Sequence, residues 1–73
     1  MPIVQINLVK GRPAEKIEKM ITAVSDAISS SLDAPLSSVR VIVNELEDHQ
    51  YGVGGKPWNV VRAERAAAKE AGE

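Results

Sequence analysis

The second residue is the first candidate for chemistry. Pro2 directly follows Met1, and an initiator methionine before a small residue is readily removed by aminopeptidases. The processed chain is then expected to begin with a free proline, whose nitrogen is a secondary amine. Free α-amino groups titrate at about 7.7–8.0, and a secondary amine is more basic. A general base working at neutral pH needs a pKa of roughly 7. Burial and neighbouring arginines both disfavour the ammonium form, so both act in the required direction. The plain alternative is a proline that merely opens a strand.

Two arginines offer complementary chemistry. Arginine presents a planar fork that holds a carboxylate through two hydrogen bonds, and it does not lose its charge. Arg40 stands between Val39 and Val41, and a charge among valines in a strand needs a partner. A structural carboxylate such as Glu45 would serve as well as a ligand. Arg12 follows Gly11 and is equally a solvated turn residue. Ser38 belongs to a Ser-Ser pair that suits a turn. Tyr51 is one of two aromatic residues in the chain, with Trp58, and is equally core or interface packing. His49 reads as a solvated loop residue. The glycine run after Tyr51 is not a phosphate loop, because no Lys-Ser/Thr and helix follow at the required place.

Composition closes other routes. There is no cysteine, which excludes disulfides, thiolate metal sites and cysteine nucleophiles. A single histidine leaves no basis for a zinc cluster. Nine basic against ten acidic residues give a net charge of −1, without the basic excess of a nucleic-acid binder. The balance of 44% hydrophobic and 26% charged residues fits a globular domain and not a disordered one. No apolar run approaches the length of a membrane span. The first five residues lack the charged and apolar segments of a signal peptide. The expectation is a cytoplasmic protein with no metal, nucleic-acid or membrane partner.

The elements that must position these residues follow from periodicity. Pro2 to Lys10 alternates, with Val4, Ile6 and Leu8 on one well-buried face, and predicts a strand. Gly11-Arg12-Pro13 stops it. Ile17, Met20, Ile21, Val24, Ile28 and Leu32 recur at helical spacing and predict a helix over 13–32. Pro35 ends it. Val39 to Leu46 alternates again and predicts a second strand. Strand, long helix, strand is a βαβ unit with parallel strands. Glu45 to His49 reads as a loop, and Tyr51 to Gly55 as a short hairpin or bulged extended piece. A second helix is predicted from Asn59, a possible N-cap, to about Ala71, with a thin apolar face of Trp58, Val61 and alanines. The fold class is therefore α/β (α+β): one small domain, residues 1–73.

Size then predicts assembly. A 73-residue chain buries only about 60% of the surface its unfolded form exposes. Such domains need disulfides, a metal or a partner chain. The first two are excluded, so self-association is expected.

Three stretches carry a resemblance when taken together, in order and at ungapped spacing. Pro2-Ile-Val-Gln-Ile-Asn-Leu-Val-Lys-Gly-Arg12, Ser29 through Glu45 and Tyr51-Gly-Val-Gly-Gly55 resemble the 4-oxalocrotonate tautomerase family. The resemblance covers residues 2–55 and leaves 56–73 as a tail. It implies a cofactor-independent isomerase that interconverts enol and keto forms of α-keto acids such as 2-hydroxymuconate. Pro2 would act as base and then acid. Arg12 would hold the distal carboxylate, and Arg40, from a neighbouring subunit, the 2-oxygen and its carboxylate. Tyr51 would form the apolar wall where the family usually has phenylalanine, and Ser38 would lie near the substrate. The family's short chains form hexamers, so a homohexamer is implied, with a hetero-oligomer as an alternative. The glutamate that related dehalogenases use to activate water is replaced by Val53. Two other functions remain open: a non-catalytic subunit of a hetero-oligomer, and a module that binds acidic metabolites through Arg12 and Arg40.

Overall fold

In the computed structural model the backbone is described for residues 1–72 and the side chains for residues 1–68. Strand β1 (Ile3–Val9) leads into helix α1 (Ala14–Leu32), which returns the chain to strand β2 (Arg40–Leu46). The strands are parallel and in register from Ile3 opposite Arg40 to Val9 opposite Leu46. One backbone hydrogen bond extends the ladder at each end: Arg40 N–H to the Pro2 carbonyl at 2.9 Å, and Lys10 N–H to the Leu46 carbonyl at 2.8 Å.

Helix α1 starts where Pro13 stands at its N-cap with φ −65°, the angle its ring imposes. The freed Pro13 carbonyl accepts from Lys16 and Ile17, and Glu15 lies in the first turn, favourably placed against the helix dipole. Asp33 ends the helix in the left-handed conformation at φ 54°. The Ser29 hydroxyl then donates to the Ala34 carbonyl at 2.6 Å, so this serine secures the helix end. A 3₁₀ turn at Leu36–Ser38 feeds β2.

After β2 a 3₁₀ turn at Asp48–Gln50 is closed by reciprocal bonds between Glu47 and Gln50. Strands β3 (Gly52–Val53) and β4 (Lys56–Pro57) form the expected antiparallel hairpin. Its two-residue turn, Gly54-Gly55, has φ 60° and 84°, the positive angles that a tight hairpin turn requires and glycine supplies. Helix α2 (Trp58–Gly72) follows immediately.

Two expectations are corrected at element boundaries. Asn59 does not cap α2: the helix begins at Trp58, whose N–H is already satisfied by the Tyr51 carbonyl at 2.8 Å. Glu45, which the sequence puts both at the end of the second strand and at the start of the loop, belongs to β2, because the parallel ladder continues through Leu46.

The larger correction concerns burial. Val4, Ile6, Leu8, Val41 and Val43 are only half-buried, as are Ile17, Met20, Ile21, Val24 and Ile28 of α1. Among the described residues Val61 alone is buried, at 8% exposure. On the other sheet face Ile3 and Ile42 are exposed. The chain presents 5511 Å² to solvent, where a compact monomer of this mass presents about 4400 Å². Its radius of gyration is 16.5 Å, against roughly 11 Å for a compact domain of this length. A sheet of two strands is too narrow to enclose a core against one long helix.

Candidate active site

The sequence candidates fall into two groups at opposite ends of β1. Pro2, Ser38 and Arg40 lie at its start. Pro2 is half-buried, and its carbonyl is held by the Arg40 N–H. The Arg40 guanidinium donates through Nη1 to the carbonyls of Ser37 at 2.7 Å and Val39 at 3.4 Å. The Ser38 hydroxyl donates to the Pro35 carbonyl at 2.8 Å. Arg40 therefore answers its need for a partner with backbone carbonyls. Glu45, the carboxylate considered from sequence, lies five residues further along the same strand and does not pair with it. With Met1 attached, the Pro2 nitrogen is a tertiary amide without basicity. Met1 is 77% exposed, so its removal disturbs no packing.

At the other end Arg12 and Tyr51 line one cleft of about 400 Å³ with Leu8, Val9, Leu46 and Trp58. Helix α2 adds Arg62, and the end of β1 adds Lys10. These two cations are matched: Lys10 pairs with Glu47 at 2.7 Å and Arg62 with Asp48 at 3.3 Å. The hydrogen bond and charge of Glu47 raise the Lys10 ammonium above its ordinary value. The same contacts hold the Glu47 carboxyl below the usual carboxylate range. Arg12 meets no carboxylate among the described residues and donates only to the Val9 carbonyl at 3.2 Å. The strand between the two groups has seven residues, about 20 Å of chain, well beyond the reach of an arginine side chain. Within one chain Pro2 and Arg12 are not brought together.

The family model for tautomerase enzymes matches residues 2–60. The chain belongs to the tautomerase family. A 2-hydroxymuconate tautomerase of Pseudomonas putida is 52% identical over 62 residues, which are 85% of this chain and 98% of that protein. Among solved structures, a 4-oxalocrotonate tautomerase isozyme of Methylibium petroleiphilum superposes with TM-score 0.81 at 32% identity, covering 86% of this chain and 98% of that one. A heterohexameric 4-oxalocrotonate tautomerase of Chloroflexus aurantiacus superposes with TM-score 0.78 at 30% identity, covering 81% and 95%. The chain is thus a tautomerase, an isomerase, with the α+β architecture of that superfamily.

Within this tautomerase, sequence reasoning missed two residues at the Arg12 cleft. The sequence places Trp58 on a thin helix face and gives no reason to single out Arg62. Their spacing with Val61 and Arg65 places all four on one side of α2, and the chain's only tryptophan beside a proline was the available signal. His49 is exposed in the 3₁₀ turn. Among the described residues no cluster of His, Cys, Asp and Glu could hold a metal ion, and no helix is long and apolar enough to cross a membrane.

Proposed function

We propose that this tautomerase converts enol acids of the 2-hydroxymuconate type to their keto forms, with Pro2 as general base and acid once Met1 is removed. The Pro2 amine takes the proton of the 2-hydroxyl group and returns it to carbon. Arg40 stabilises the charge that develops on the 2-oxygen, where a fixed cation in a dry site is most effective. Arg12 holds the distal carboxylate in a bidentate grip. Tyr51 forms a wall of the cleft, and Ser38 borders the Pro2 end. The chain acts as one domain, residues 1–73, in the cytoplasm, without a cofactor.

The observation that carries this reading is the pattern of unmatched charge. Arg12 and Arg40 lack a carboxylate among the described residues, as Lys16, Lys19 and Arg65 do outside the two groups, while Lys10 and Arg62, the other cations lining the Arg12 cleft, each have one. A dianionic substrate supplies what they lack. Because β1 separates Pro2 from Arg12, each complete site takes its parts from more than one subunit. The exposed apolar residues Ile3, Ile42 and Val60 fit burial in a homohexamer.

The test is loss of dienol absorbance of 2-hydroxymuconate, on protein whose intact mass shows Met1 removed. Rapid ketonisation supports the reading. A rate no higher than buffer from the purified single chain sinks it and favours a non-catalytic role within a hetero-oligomer, the kind of assembly that the Chloroflexus aurantiacus relative forms.

A further inference from the structure

The Arg12 cleft holds more hydrogen-bond donors than its arginine. Tyr51 and Trp58 are the only tyrosine and the only tryptophan of the chain, and both line it. Trp58 is fixed in three ways. Its backbone N–H donates to the Tyr51 carbonyl at 2.8 Å. Its ring meets the Tyr51 ring edge-on, with centroids 5.6 Å apart. The Arg65 guanidinium lies 5.4 Å from its ring centroid, within cation–π range. One turn along α2, buried Val61 anchors the helix. Yet neither the indole N–H nor the phenolic hydroxyl donates to a protein group among the described residues.

We propose that Trp58 and Tyr51 are substrate-binding residues that join Arg12 in a subsite selecting a second, distal carboxylate. The inference rests on the enol-acid reading above and adds its specificity element. An ionised carboxylate offers about four lone-pair sites and accepts only. The Arg12 fork fills two of them. A fixed indole N–H and a phenolic O–H fill the remainder, and neither needs a carboxylate of its own. Because Trp58 is held before the substrate arrives, little ordering entropy is lost on binding. Lys10 and Arg62 are neutralised by Glu47 and Asp48, so the lining carries one unmatched positive charge, suited to one carboxylate. A substrate without the distal carboxylate leaves these donors unpaired and is discriminated against.

The experiment compares wild type, Trp58→Phe and Tyr51→Phe, each confirmed by light scattering to assemble as wild type does. Calorimetry measures binding of cis,cis-muconate, a dicarboxylate with no enol to convert, and of 2,4-pentadienoate, a monocarboxylate. Trp58 is the sole tryptophan, so its emission in wild type reports occupancy directly. The proposal expects muconate to change that emission saturably. Each substitution is expected to weaken muconate binding by about tenfold, the loss of one hydrogen bond to a charged acceptor, and to leave pentadienoate within about twofold of wild type on the same scale. Unchanged muconate affinity in both variants overturns the proposal. An equal loss for both ligands also overturns it, because it marks a packing role. If wild type binds muconate with this selectivity but ketonises no enol acid, the subsite stands and only the enol-acid reading fails.

Discussion

The backbone N–H of Arg40 donates to the carbonyl of Pro2 at 2.9 Å. This bond extends the parallel ladder by one residue beyond β1 and fixes Pro2 against the strand that carries Arg40, whose guanidinium meets no carboxylate among the described residues. With Met1 attached the nitrogen of Pro2 carries no hydrogen and stays out of the ladder. A base at this point is held by its own carbonyl while its nitrogen remains available.

Pro2→Ala is accordingly expected to lower kcat for 2-hydroxymuconate by about 10²–10⁴, the usual contribution of a positioned base. Initial rates from dienol absorbance check this, with assembly verified by light scattering. Protein that retains Met1 should be equally inert, since an amide nitrogen cannot take the proton. Wild-type rates in either preparation would remove Pro2 from the mechanism.

Pro2 and Arg12 stand at opposite ends of a seven-residue strand, so sites shared between subunits can be rebuilt from damaged ones. Pro2→Ala and Arg12→Ala chains, each nearly inactive alone, are expected to regain activity when unfolded together and reassembled. Complementation measured against separately refolded controls decides the matter. If the mixture is no better than its components, both residues act within one chain.

Arg40 donates to the Ser37 and Val39 carbonyls and meets no carboxylate among the described residues. Arg40→Ala should therefore reduce kcat by about 10² while KM moves less, since its charge matters most as the 2-oxygen becomes negative. Steady-state kinetics separate the two. A change confined to KM would make it a ground-state binding residue.

The Lys10–Glu47 pair ties the ends of β1 and β2 beside Arg12. Glu47 is held below its ordinary value of 4.5 by the Lys10 hydrogen bond and then by its charge, so its contribution is complete above that value and is lost as pH falls through and below it. Lys10 is raised above 10.5 by the Glu47 hydrogen bond and charge, so its contribution is present below that value and is lost at still higher pH. Both groups are exposed and screened, which keeps the effect small. Thermal midpoints across pH should fall less steeply below 4.5 in Lys10→Met than in wild type. Identical acid slopes would show the pair to be energetically silent.

The βαβ unit was legible because its signals are local. Alternation over Val4, Ile6 and Leu8, the helical spacing from Ile17 to Leu32, and Pro13 and Pro35 at the helix ends are set by chain geometry alone. The hairpin was legible for the same reason, since Gly54 and Gly55 supply the positive φ angles its turn demands. Boundaries moved where a long-range bond intervened: the Tyr51 carbonyl captures the Trp58 N–H and starts α2 before Asn59. Arg40 stands out in the sequence as a charge among valines, but its bonds to the Ser37 and Val39 carbonyls rather than to Glu45 depend on the turn that precedes β2.

The sequence by itself determined the family, the secondary elements apart from their boundaries, and the residue types, a proline after Met1 and two arginines, from which a base and a carboxylate clamp are proposed. Tertiary structure alone decided which of these residues are neighbours. It set Pro2 beside Arg40 and away from Arg12, and it folded the hairpin so that Tyr51 and Trp58 meet over the Arg12 cleft. Periodicity reports which way a side chain faces along its own element. Which elements lie side by side depends on ladder register and on packing between residues distant in the chain, and neither is written in any local stretch.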